Sequence, residues 1–120
     1  MAKAANDLIA ARALLATGAA FDTVCFHAQQ AVEKCLKAVL ALHDIEYPRR
    51  HDMAELVELV VPLAAEISSY KDRILSLAPF AVEIRYDTEV VPSLENTNDA
   101  VQTATEVHEL VGTIIDVKTL

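Results

Sequence analysis

Apolar residues recur every three or four positions along most of this chain, and the interruptions between such runs divide it into helices. Leu8, Ala11, Leu14 and Leu15 predict a first helix over Ala4 to Thr17, with Asn6 or Asp7 as its start signal and Gly18 as its stop. Val24, Cys25, Ala28, Val32, Cys35, Leu36, Val39 and Leu42 give a second, central helix from Asp22 to His43, about six turns long. A loop containing Pro48 follows, after which His51 or Asp52 caps a third helix carrying Met53, Leu56, Leu59 and Val60. Pro62 ends or restarts that helix, because proline lacks the amide and crowds the preceding turn. A second piece then runs through Ile67.

Beyond Lys71, the residues Ile74, Leu77, Ala81 and Ile84 predict another helical run, kinked or divided at Pro79, that ends near Arg85-Tyr86-Asp87. Thr97 is the expected cap of a last helix whose buried stripe is Ala100, Ala104, Val107, Val111 and Ile114. Asp99 near its start and Lys118 near its end both suit the helix dipole. Strand alternation, internal repeats and linkers are absent. The pattern predicts an all-α, up-and-down antiparallel bundle of about five helices, one domain over residues 1–120.

Composition supports this reading and narrows the chemistry. Hydrophobic residues make up 53% of the 120-residue chain, with only two glycines, which suits helices joined by short connections. No apolar run is long enough to cross a bilayer, and Met1 to Leu15 lacks a cleavable leader layout, so a cytoplasmic protein without a membrane role is expected. The net charge of −8 disfavours broad polyanion binding, and any phosphate contact must come from a local basic patch. Cys25 and Cys35 fall on the apolar side of the central helix and read as buried thiols. No Cys or His pair has metal-ligand spacing, and neither a metal nor a cofactor is expected.

Three features can carry chemistry. Thr23, His27, Gln30, Lys34 and Lys37 form one polar stripe on the otherwise apolar central helix. The stripe is either a solvated or inter-subunit side, with Glu33 and Lys37 an ordinary pair, or a site where Lys34 and Lys37 attract phosphate and His27 and Gln30 hydrogen-bond it. Arg49, Arg50 and His51, just before the third helix, form a second phosphate-binding candidate, whose alternative is a cap with solvated arginines. Arg85 is either a helix-end residue that reaches carbonyls or an acid such as Glu33, or a group that stabilises charge on a phosphate.

The run Phe26-His27-Ala28-Gln29-Gln30-Ala31-Val32-Glu33-Lys34-Cys35-Leu36-Lys37-Ala38 follows Asp7-Leu8 and Leu14-Leu15. It precedes Pro48-Arg49-Arg50-His51-Asp52 and then Arg85-Tyr86, and this order resembles the HEPN domain family. The resemblance implies a helical bundle that forms a homodimer and is often paired with a minimal nucleotidyltransferase partner as toxin and antitoxin, with a nucleotide or RNA as ligand. Some members of that family are metal-independent ribonucleases in which an arginine is followed, a few residues on, by a histidine. Here Arg85 has no histidine after it until His108, so a binding or effector module is expected rather than an enzyme. The alternatives are a ribonuclease in which Arg85 works with His51 or His27, and a purely structural dimerisation bundle.

Overall fold

The computed structural model of the protein describes residues 1–47, 52–81 and 91–119. Within them lie five α-helices: α1 (Ala2–Ala16), α2 (Phe21–Leu42), α3 (Met53–Val60), α4 (Lys71–Leu75) and α5 (Leu94–Lys118). Short 3-10 turns at Ala65–Tyr70 and Ala78–Phe80 complete the elements, and no strand occurs among the described residues. The protein is an all-α bundle. Arg49, Arg50, His51 and Arg85, named above as candidates, lie outside the described residues.

Long α2 is the axis of the bundle because its apolar face is broad enough to be covered from several sides. Val24, Ala28, Val32, Cys35, Leu36, Val39 and Leu40 are all fully buried, with α1 on one flank and α5 on another. The turn between α1 and α2 is tight: Gly18 takes the left-handed conformation (φ 73°) that closes α1, and its amide donates to the Leu15 carbonyl at 3.0 Å. The chain then descends α2, returns through 65–80 and runs alongside α2 again as α5. Arg73 bonding Thr103, with Phe80 near Asn96, sets the returning leg antiparallel to α5.

Local chemistry accounts for several helix boundaries. The Asp52 side chain accepts from the Ala54 amide at 2.9 Å and caps α3, which stops at Val60, two residues before Pro62. The last helix departs from the expected start: Ser93 rather than Thr97 is its cap, its hydroxyl accepting from the Asn96 amide at 3.0 Å. Thr97 is instead buried one turn in, donating to the Ser93 carbonyl at 2.7 Å and accepting from the Cys25 thiol at 3.7 Å. Pro79 divides its segment as expected, so that α4 is only a turn and a half and Ala81 is exposed rather than buried. Both cysteines are free and fully buried. Burial raises the Cys25 thiol and pushes Cys35 up to about 12, so both stay protonated at neutral pH and pack as small hydrophobes.

One polar cluster ties the returning leg to α5. Arg73 grips Glu106 with its two terminal nitrogens at 2.8 and 3.4 Å, its Nε donates to Thr103, and Gln102 donates to the same carboxylate at 3.0 Å. The Arg73 bonds, and after them the Gln102 bond, hold the Glu106 carboxyl down at about 2, below the ordinary 4.5. A carboxyl depressed in the folded state stabilises above its unfolded value and loses that contribution as pH falls through the folded one. The melting temperature of Glu106→Gln should therefore lie furthest below the parent's above pH 5, and the gap should close between pH 4.5 and 2. A gap that stays constant over that range would show that the charge of Glu106 adds nothing to stability.

Candidate phosphate-binding site

The polar stripe of α2 is neither fully solvated nor independent, because α1 reaches it. Asn6 or Asp7 was expected to start α1, yet the helix begins at Ala2 and both sit inside it, Asp7 on the buried face with Ala4, Leu8 and Ala11. Its side chain is only 11% exposed, and each carboxylate oxygen takes one residue of the α2 stripe. His27 Nδ1 lies 2.9 Å from Oδ1 and Lys34 Nζ lies 2.5 Å from Oδ2. The first bond has Nδ1 carry the hydrogen, so a neutral His27 presents Nε2 as an acceptor. His27 is thus held as a partner of Asp7 and does not line the recess described below.

The rest of the stripe divides. Gln30 donates to its buried neighbour Gln29 at 2.8 Å and is also absent from the recess. Lys37 pairs with buried Glu33 at 3.6 Å and places its ammonium 5.2 Å from the centre of the Tyr47 ring. Lys34 and Lys37 come together with Lys3, Tyr47 and the opening turn of α1 around a recess of about 400 Å³. None of its described lining residues is acidic, and no side chain caps that opening turn. An anion in the recess would meet three ammonium groups and the positive end of a helix. A second recess, of about 410 Å³, lies between Leu63, Leu110, Ile114 and Val117 and is mainly apolar. Among the described residues, none of the candidates lines it.

Sequence reasoning found Lys34 and Lys37 but missed Asp7, Lys3 and Tyr47. For Asp7 a signal existed: positions 4, 7, 8 and 11 share one helix face, so an acid at 7 falls on an apolar stripe and needs a cationic partner. Lys3 and Tyr47 carried no such signal, because only the antiparallel packing of α1 on α2 brings chain positions 3, 34 and 47 to one place. Among the described residues, no group of three His, Cys, Asp or Glu side chains could hold a metal ion, and no helix is long and apolar enough to cross a membrane.

Comparison with known proteins agrees with this architecture. Residues 1–114 match the HEPN domain family. Over 77 residues the chain is 39% identical to a protein of Methanocaldococcus jannaschii named "Putative toxin MJ1304"; the match covers 64% of this chain and 49% of that relative. The chain therefore spans about half the length of this relative. No solved structure matches it.

Proposed function

The chain belongs to the HEPN domain family, and we propose that within it this chain is a binding module that takes a phosphate-bearing ligand, a nucleotide or RNA, in the Lys3, Lys34 and Lys37 recess. On this reading it acts as the toxin-like member of a pair whose other member is a nucleotidyltransferase, and it self-associates as a homodimer. The observation that carries the reading is electrostatic. In a protein of net charge −8, three of the ten Lys and Arg side chains line one recess that has no acidic residue among its described walls. Lys34 and Lys37 are paired from behind with Asp7 and Glu33, so the local positive excess is that of Lys3 together with the helix end, and it favours anions where the average surface repels them. The toxin role is supported by the name of the relative from M. jannaschii.

Asp7 and Glu33 contribute by position. Each carboxylate anchors one lysine from the buried side, which removes rotamer freedom that free lysines would lose on binding. The arrangement binds and orients phosphate; the Arg85 route to RNA cleavage has no histidine at the family's interval to complete it.

The test is a titration of the protein with AMP and with a short single-stranded oligoadenylate at low salt. The parent should bind at least one of them, and the Lys34→Ala/Lys37→Ala double variant should bind it at least about tenfold more weakly, as expected for two lost charge-assisted contacts. Equal affinity of parent and variant would remove the recess from the ligand site. Metal-free incubation with RNA, run beside Arg85→Ala, addresses activity: cleavage that depends on Arg85 would replace the binding reading with a ribonuclease.

A further inference from the structure

Tyr47 has no place in the core. Ile45, two residues before it, packs against the main apolar cluster, whereas Tyr47 does not and is 39% exposed. It stands in the wall of the anion recess, with the Lys37 ammonium 5.2 Å from the centre of its ring. A phosphate can accept from the phenol hydroxyl but gains nothing from the face of the ring, which adds affinity for a ligand with a flat π surface of its own. The Lys37 ammonium lies over the ring, and the residue remains exposed. The volume, about 400 Å³, lies within the range of small-molecule sites and suits one nucleotide unit better than a bare anion.

We propose that Tyr47 is the base-stacking residue of this recess, and that the ligand is a nucleotide unit whose base lies on Tyr47 while its phosphate is held by Lys3, Lys34 and Lys37. The proposal rests on the phosphate-site reading above and adds to it the requirement for a base. The unit can come from a free nucleotide or from an RNA strand, and the two sources share this chemistry.

The experiment compares ligands that differ only in the base. AMP and ribose 5-phosphate carry the same sugar and phosphate, as do an oligoadenylate and an abasic oligomer of equal length. The parent should bind the base-bearing member of at least one pair about tenfold more tightly, since stacking one base on an aromatic ring is worth about 1–3 kcal/mol and 1.4 kcal/mol is a factor of ten. Preference within the first pair identifies a free nucleotide, and preference in the second pair alone identifies RNA. Tyr47→Ala should abolish the preference, and Tyr47→Phe, which keeps the ring, should retain it. Equal binding of both members by the parent, or a preference that survives in Tyr47→Ala, overturns the role of Tyr47 and leaves the phosphate site standing. If no member of either pair binds the parent, the phosphate-site reading falls, and the stacking role with it.

Discussion

Asp7→Ala should lower the unfolding free energy by about 2 kcal/mol, because the alanine leaves the Lys34 ammonium and the His27 ring N–H that share the carboxylate without their partner. A hydrogen bond to a charged group contributes about 1.5–3 kcal/mol when sheltered. Here the carboxylate is 11% exposed and Lys34 37%, so solvent replaces part of what is lost at the lysine and little of what is lost at the acid. For a domain of this size the change corresponds to a fall in melting temperature of roughly 8 °C. Asp7→Asn keeps the volume and one acceptor and should fall between parent and alanine. A loss below about 0.5 kcal/mol for Asp7→Ala in chemical denaturation would mean that water substitutes for the carboxylate and that α1 does not organise the stripe.

A larger loss is expected deeper in the bundle. Leu36 is fully buried on the apolar face of α2, within the cluster shared by α1, α3 and α5. Leu36→Ala removes that side chain where helices pack from several directions and the space cannot collapse, so about 3 kcal/mol should be lost. The urea midpoint should fall with little change in slope, because the surface exposed on unfolding hardly alters. A loss under about 1.5 kcal/mol would indicate a core loose enough to refill the cavity.

The two variants separate the levels at which the sequence is legible. The apolar period placed Leu36 on the buried side of a long central helix, and Gly18, Asp52 and Pro62 each mark a boundary by a local rule acting within one turn. The exceptions come from competition. Thr97 has the chemistry of a cap, but Ser93 lies one turn earlier in extended backbone and takes that role, which leaves the Thr97 hydroxyl to meet Cys25 across the core. Asp7 has the same ambiguity, a good start signal by residue type and a buried partner of His27 and Lys34 by position. The phosphate recess shows the wider reason. Lys34 and Lys37 were legible because they share one helix, whereas Lys3 and Tyr47 become their neighbours only through tertiary packing. His27 and Gln30 share the stripe but are turned to Asp7 and Gln29, a choice that periodicity cannot make.

The most direct test of the phosphate site is to follow backbone amide resonances of the protein while AMP or a short oligoadenylate is added. Saturable shifts are expected, concentrated on Lys3, Lys34, Lys37 and Tyr47 and weakening as salt is raised because charge drives the contact. Shifts confined to other parts of the bundle, such as the apolar recess between Leu63 and Val117, or no shifts at any ligand concentration, would contradict the phosphate site.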